Sequence, residues 1–546
     1  MNHARQFWSS IAFSILFFSM GYGFNLATAQ ESTQVNELET DTIILESINI
    51  TPVIGTSLSL EKIPYNVQSS SSADLDQGTS LDITEFMERS FNSVTINEAT
   101  NNPLQPDFQY RGFTASPLLG LPQGLAVYQN GVRVNEVFGD TINWDLIPEG
   151  SINSMNLVGG ANPVFGLNTL GGAISIETKN GFNFSGTNIE LYGASEHERS
   201  VFSLETGGND GSMGYYGLVQ HFQENGWRDA SPSDSVNLFG AISYRNDTTT
   251  SWDVNVNYAN TDLIGNGAIP IELARQDYDA IFTSPDQTLN EMIMVQAQGS
   301  HWYNDDYQIA GNVFYRRITT DTFNGDGTEF EECSFVDGTE VLIEADEDEL
   351  EDGGPAVACN GTVADLATFL GNAAIRGIDV EVVENQNGQQ ISSANGFEPD
   401  DLNGLQNRSD REQTYYGGTL QNTIYNDWFG KPNQVVVGTS YTYGDVVFNS
   451  SQELAELNAD RSTRGTNNFV PDEGTSIDSE VFTISMFFTD TLSASDNLDL
   501  TFSGRFNHTD VELTDKGGRG FSEPQPALTG EHEFNRFNPA IGVTYN

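Results

Sequence analysis

The feature that most constrains this chain is the strict alternation of apolar and polar residues after Lys179. In one segment the alternate positions are apolar, with mostly polar residues between them: Val236, Leu238, Gly240, Ile242 and Tyr244. The same pattern runs through 252–258 and 498–506. Because successive side chains of a strand point to opposite faces, each strand has one apolar and one polar face. After the N-terminal segment no stretch approaches 18 apolar residues, so the pattern predicts a transmembrane antiparallel β-barrel.

The lengths of the connectors support a barrel. We count about a dozen strands with the apolar–polar alternation that bacterial barrels show. Their cores lie near 187–194, 199–207, 214–223, 235–245, 250–260, 291–302, 307–319, 412–425, 434–448, 481–490, 498–509 and 537–545. Short connectors at 246–249, 303–306, 426–433 and 491–497 alternate with long ones at 261–290, 320–411, 449–480 and 510–536. Barrels of this kind have short periplasmic turns and long outer loops, whereas a soluble β-sandwich has no reason to sort its loops in this way.

Composition narrows the function classes. The chain of 546 residues has 22 Lys+Arg against 77 Asp+Glu, a net charge of −55, which disfavours nucleic acid as a partner. With 37% hydrophobic residues and 53 glycines it is too polar for a helical membrane bundle, and its aromatic content is too high for a disordered chain. A β-rich fold remains.

The N-terminus reads as an export signal. Arg5 precedes a largely apolar stretch, 7–26, and Ala27-Thr28-Ala29 has the small residues that a signal peptidase accepts. We therefore predict a signal peptide at 1–29, since serines interrupt the stretch too often for a membrane anchor helix. The polar, acidic residues 30–45 predict a flexible periplasmic tail.

The two cysteines, Cys333 and Cys359, lie in one polar segment of an exported chain, which predicts a disulfide that pins one loop. A metal site is the weaker alternative, because no histidine accompanies the pair. The acidic residues between them could bind Ca²⁺, but they lack a calcium-loop spacing, so a solvated outer loop is favoured: Glu344, Asp346, Glu347, Asp348, Glu349, Glu351 and Asp352. We predict no metal site, no cofactor and no catalytic cluster.

Between about Glu46 and Thr178 the pattern is mixed, with turn glycines and one helical candidate, Leu81 to Arg89, opening at the possible cap Ser80. Three motifs occur there in order: FQYRGF at 108–113, VYQNGVRV at 127–134, and VGGANPVFGLNTLGGAISIETK at 158–179. Together they resemble the plug domain of TonB-dependent outer-membrane receptors. Asn130 departs from the acid usual in the family, and Met155-Asn156 from its common Ile-Glu-Val stretch.

This resemblance implies a plug domain at 53–180 inside the N-terminal part of a 22-stranded barrel at 181–546. About twelve strands would be too narrow for such a plug, because a barrel's width grows with its strand number. We therefore expect residues 1–546 to be an N-terminal portion of a longer protein that does not insert stably alone.

The plug motif residues have structural and functional interpretations: Arg111, Gly112, Phe113, Gly131, Gly166, Gly171 and Gly172. We expect the glycines to serve turns and close backbone approaches. Arg111 either reaches carboxylates on the inner barrel wall, a contact that transport could break, or forms a plain stabilising ion pair.

The family's coupling segment is a short extended stretch to which a TonB-type periplasmic protein adds a strand. The matching residues here are Glu46, Ser47, Ile48, Asn49, Ile50, Thr51 and Pro52. A second candidate is 41–45, and an ordinary linker is the alternative. By the same resemblance the candidate ligand-facing residues are Leu121, Gln123, Phe138 and Trp144, although core packing explains the two aromatic residues equally well.

The resemblance implies active import of a scarce nutrient across the outer membrane, powered through the TonB-type partner, and no enzyme activity. A ferric siderophore or ferric citrate type chelate is the first expectation, and cobalamin, haem or a glycan are alternatives. A passive porin would lack the plug motifs. An adhesin or outer-membrane enzyme would need a passenger domain or a catalytic cluster, and the sequence shows neither.

Overall fold

The computed structural model of the protein describes residues 47–49, 57–78, 80–98, 100–195, 197–246, 248–345, 350, 354–517 and 528–546. These residues belong to one compact unit, Glu46–Asn546. The second unit, Met1–Leu45, holds the predicted signal peptide and tail and lies outside the described residues.

The plug contains ten short strands and two helices. Its strands are β1 (Ser47–Asn49), β2 (Ser57–Ser59), β3 (Val67–Ser71), β4 (Val94–Asn97), β5 (Asp107–Tyr110), β6 (Phe113–Ala115), β7 (Leu125–Gln129), β8 (Val132–Arg133), β9 (Ile152–Gly159) and β10 (Gly172–Thr178). Its helices are α1 (Ser72–Gly78) and α2 (Ile83–Ser90). A mixed sheet has the order β3-β9-β10-β7-β8, a second sheet the order β4-β5-β6, and β1 pairs with β2. Phe108, Tyr110 and Trp144 lie in the core beside these sheets.

The helix predicted at Leu81 to Arg89 exists but begins later, and its cap is Asp82 rather than Ser80. The Asp82 carboxylate accepts hydrogen bonds from the backbone N–H groups of Thr84 (2.7 Å) and Glu85 (2.9 Å). The Asp82 carboxylate lies two residues after Ser80 and satisfies these free donors of the first helical turn, so it fixes the start of the helix. Ser80 instead lies near Glu149.

Twelve antiparallel strands of the described residues form one sheet in chain order. They are β11 (Gly186–Ala194), β12 (Arg199–Asn209), β13 (Met213–Glu224), β14 (Ser233–Asn246), β15 (Thr250–Ile264), β16 (Asp286–Asn304) and β17 (Tyr307–Gly327), followed, after a small lobe, by β21 (Gly404–Trp428), β22 (Lys431–Leu457), β23 (Thr463–Ser495), β24 (Leu498–Asp515) and β25 (Gly530–Tyr545). β11 and β25 are its two edges. All twelve predicted strand cores are found.

The predicted alternation is seen clearly on β15, where Val254 and Val256 are exposed while Asn255 and Asn257 are buried. The plug covers the inner face, where Asn257 donates to the Leu146 carbonyl of the plug, and the outer face is left apolar as contact with lipid requires. Among the described helices, none is both long enough and apolar enough to span a bilayer.

The short connectors predicted at 246–249, 303–306, 426–433 and 491–497 are short turns in the structure. The long connector predicted at 449–480 is wrong, because β22 runs to Leu457 and β23 begins at Thr463. On β22 and β23 the apolar alternation ends before the strands end. An apolar face is required only where a strand contacts lipid, so a strand that continues beyond the lipid does not need one.

The connector at 265–285 contains α3 (Ile271–Gln276), and the described residues between 328 and 403 form what we call the disulfide lobe. The lobe consists of β18 (Glu331–Ser334), β19 (Glu340–Ala345), β20 (Val380–Val382) and α4 (Leu366–Arg376). It has an apolar core of its own that includes Phe335, Phe369 and Val341. Short 3₁₀ turns occur at Leu60–Lys62, Trp144–Leu146, Glu149–Ser151, Pro163–Phe165, Gly354–Ala356, Ser393–Asn395 and Pro399–Asp401.

Candidate functional site

Two of the three plug motifs form tight hairpins. Arg111 and Gly112 join β5 to β6 with φ angles of 53° and 81°, and Asn130 and Gly131 join β7 to β8 with φ angles of 49° and 79°. A two-residue turn with both φ angles positive matches the twist of its strands, and Asn-Gly is its preferred sequence. This explains why Asn130 can replace the acid usual in the resembling family.

The third motif packs against a neighbouring hairpin and the wall. A side chain at Gly171 would collide with Phe113, and one at Gly166 would meet the guanidinium of Arg505 on β24 at 3.0 Å. Gly172 begins β10, where a side chain would strike the backbone of β9. The glycines therefore lie where the plug fits closely to itself and to the sheet.

Arg111 makes neither of the two contacts expected of it. Its side chain is exposed, its guanidinium lies 5.0 Å from the centroid of the Tyr110 ring, and no carboxylate pairs with it among the described residues. Other residues link the plug to the wall.

The strongest link is a buried ion pair that sequence reasoning missed. Glu136, in the turn after β8, accepts a hydrogen bond from Arg316 of β17 at 2.7 Å, and both side chains are at most 5% exposed. Its second carboxylate oxygen accepts from Gln413 of β21 at 3.1 Å. One signal was present in the sequence: Arg316 and Arg411 occupy inward positions of alternating strands.

Two further links join the plug to more distant parts of the sheet. Lys179, just after β10, pairs with Glu205 of β12 at 2.9 Å, and the hydroxyl of Tyr216 donates to the same carboxylate at 2.7 Å. Arg505 of β24 donates to the backbone carbonyl of Val164 at 3.1 Å. These links lie far along the sheet from the Glu136 pair, and further hydrogen bonds, such as that from Asn312 to the Gly131 carbonyl, lie between them.

The candidate ligand-facing residues fall into different environments. Leu121 is 39% exposed, and Phe138 stacks on Phe448 of β22 with the ring centroids 5.0 Å apart. Gln123 is 8% exposed and accepts from the Ser116 backbone at 2.8 Å. Trp144 is 2% exposed and donates from Nε1 to the Ala115 carbonyl at 3.3 Å. Trp144 and Gln123 thus present almost no surface, which favours the packing alternative for Trp144.

Part of the candidate coupling segment is described. Residues 47–49 form β1, which pairs antiparallel with β2. The amide of Asn49 donates to Glu177 on β10, so the segment contacts the edge of the plug. Glu46, Ile50, Thr51 and Pro52 lie outside the described residues, as does the second candidate at 41–45.

Cys333 and Cys359 form a disulfide within the lobe. Most of the acidic run between them, including 346–349 and 351–353, lies outside the described residues. One group of three metal-type side chains occurs elsewhere in the described part: His508, Asp510 and Glu533, of which the two acids are exposed. Exposed acids often cluster without an ion, and we assign no site to this group.

Comparison with known proteins agrees with this arrangement. Residues 59–173 match the family described as TonB-dependent Receptor Plug Domain. No curated protein sequence matches the chain.

Solved structures share the fold at low identity. They include the ferric citrate transporter FecA in its unliganded form (TM-score 0.62, 13% identity, 89% of this chain and 61% of that chain). The siderophore receptor PiuA from Acinetobacter baumannii gives a TM-score of 0.59, at 12% identity over 90% of this chain and 63% of that one. The ferric yersiniabactin uptake receptor FyuA from Yersinia pestis gives 0.55, at 11% identity over 88% and 61%. The chain thus spans about three fifths of the length of these proteins.

Proposed function

We propose that this chain, whose residues 59–173 match the TonB-dependent Receptor Plug Domain family and whose fold is similar to that of solved receptors of ferric chelates, imports a ferric chelate of the siderophore or ferric citrate type across the outer membrane. The family is one of transporters, so we propose no enzyme activity. The observation that carries the proposal is a plug domain that packs against the inner face of the strand sheet and is linked to it by many polar contacts, among them the buried pair of Glu136 and Arg316.

We infer the cargo from the solved structures that share the fold of this chain. A ferric citrate transporter and two receptors for siderophores or ferric yersiniabactin share the fold. Each of those names applies to that protein only, and at 11–13% identity the likeness supports the fold. The proposal for this chain therefore needs a growth test that separates iron from the other cargo classes.

A deletion strain grown on single sources of iron, cobalamin or a glycan provides that test. We expect the deletion to slow growth on one ferric chelate only, and the cloned gene to restore it. A growth defect confined to cobalamin, haem or a glycan would identify that nutrient as the cargo instead, and would leave the proposed transport mechanism unchanged. Uptake that continues after the proton gradient is collapsed would instead indicate a passive porin.

The coupling segment gives the first prediction. Proline at Ile50 removes a backbone donor from the stretch that a TonB-type partner would pair with, so Ile50→Pro should abolish uptake and leave binding of the chelate to intact cells unchanged. Ile50→Val is the matched control, because it keeps the donor. Normal uptake by the proline variant would mean that another segment, such as 41–45, couples to the partner.

A further inference from the structure

A small, partly open cavity lies between the plug and strands β12–β14. Its volume is about 40 Å³, which exceeds the room that one water requires. Apolar residues and Trp144 line part of it. Its polar lining consists of three plug carboxylates and three side chains of the wall: Asp82, Asp145, Glu149, Gln220, Ser235 and Asn237.

Three oxygen atoms of this lining have no hydrogen-bond partner. Asp145 is 6% exposed, and its Oδ2 accepts from the hydroxyl of Thr261 at 2.7 Å and from the amide of Asn290 at 3.0 Å. Its Oδ1 is buried without a partner. The same holds for Oδ1 of Asn237, which is 8% exposed, and for Oε1 of Gln220. Buried acceptors are rarely left unsatisfied in folded proteins.

The cavity also lacks a positive charge. No Lys, Arg or His is among the described residues that line it. The carboxylates of Asp82, Asp145 and Glu149 therefore line the cavity with no cationic side chain beside them in its lining. Carboxylates in such surroundings require either a proton or a neighbouring cation.

We propose that this cavity binds one hard divalent cation of the Ca²⁺ type. Its protein ligands are Oδ1 of Asp145 and the side-chain amide oxygens of Asn237 and Gln220, and waters complete the shell. Calcium prefers carboxylate and amide oxygens, which are the atoms left unsatisfied here. Asp82 and Glu149 supply negative charge from further away.

A cation in this position would link the plug to the wall. Asp145 belongs to the plug, whereas Gln220 lies on β13 and Asn237 on β14. The amide of Asn237 already donates to the backbone carbonyl of Asp145 at 3.4 Å, across 92 residues of sequence. That separation explains why the sequence predicts no metal site. The alternative occupant is water alone, which could donate to the same oxygens.

The test uses the protein purified from outer membranes and freed of metal with EDTA. Equilibrium dialysis against Ca²⁺ should find a bound ion whose affinity falls at least tenfold in Asp145→Asn. Asn237→Asp places a second carboxylate at the site and should raise the affinity. Asp253→Asn is the matched control, because Asp253 is an equally buried acid that already pairs with Arg245, and it should leave the Ca²⁺ affinity within twofold of the wild type.

The luminescence of bound Tb³⁺ distinguishes binding in this cavity from binding to other acidic groups. Tb³⁺ bound in the cavity would take up excitation energy from Trp144, so Trp144→Phe should lower the sensitised emission that Ca²⁺ displaces while the bound Ca²⁺ is retained. Wild-type protein that binds no ion, or binding that is equal in Asp145→Asn and the wild type, would overturn the proposal. If Asp145→Asn fails to fold, Asn237→Ala must weaken the binding, and unchanged affinity in that variant would overturn the proposal equally.

Discussion

At the scale of single residues, the contact between plug and wall combines many hydrogen bonds with a small number of buried ion pairs. Glu136 and Arg316 are both buried, and each compensates the charge of the other. On the opposite face of β17, Arg317 pairs with Glu412 of β21 at 2.6 Å, and both side chains are 51% exposed. The two pairs share β17 and the same Arg–Glu chemistry but differ in burial, so they allow a controlled comparison.

Replacing Glu136 with alanine should destabilise the folded protein by about 3–5 kcal/mol, because it leaves the Arg316 charge buried without its partner. Glu412→Ala is the control and should cost about 0–1 kcal/mol, because solvent screens an exposed pair. Thermal unfolding in detergent compares the two variants. Equal losses would show that Glu136 does not hold the plug.

At the scale of elements, the plug depends on hairpin turns with positive φ angles, and the disulfide lobe on a helix. Gly131 has a φ of 79° in the β7–β8 turn, and this hairpin brings the chain towards Glu136. Gly371 lies inside α4 with open space around its Cα. The same substitution should therefore have opposite effects at the two positions.

Gly131→Ala should destabilise the plug by about 1–2 kcal/mol, because a Cβ atom is strained in the left-handed region. Gly371→Ala should stabilise α4 by about 0.5–1 kcal/mol, because alanine loses less backbone entropy than glycine in a helix. Hydrogen exchange of the two elements measures each effect locally. Destabilisation of α4 by the second variant would contradict this account.

At the scale of the whole molecule, the disulfide lobe has its own core, and a second apolar cluster connects it to the strands below. That cluster joins Phe330 and Leu342 of the lobe to Leu454 of β22 and Val470 of β23. The disulfide closes a loop with a sequence separation of 26 within the lobe. The lobe should therefore lose stability independently of the sheet.

Removing both cysteines, by Cys333→Ala with Cys359→Ala, should cost the lobe about 2–4 kcal/mol, because the cross-link restricts its unfolded chain. Limited proteolysis should then cut within 328–403 faster than in the wild type, while thermal unfolding of the sheet stays unchanged. Treating the wild type with a reductant provides a second route to the same state. A parallel loss of sheet stability would show that the lobe and the sheet unfold together.

The sequence by itself determined the strands, because a period of two is imposed locally by the backbone and by lipid on one face. The twelve strand cores, the short turns, the disulfide and the plug motifs were all readable from it. Tertiary structure decided which polar residues meet across the plug and the wall. Glu136 and Arg316 are 180 residues apart, and Asp145 and Asn237 are 92 apart. Such contacts depend on the register of the sheet and on the orientation of the plug within it, which no local pattern encodes. The same limit explains why β22 and β23 extend beyond their apolar alternation and why Glu136 could not be recognised as a link to the wall.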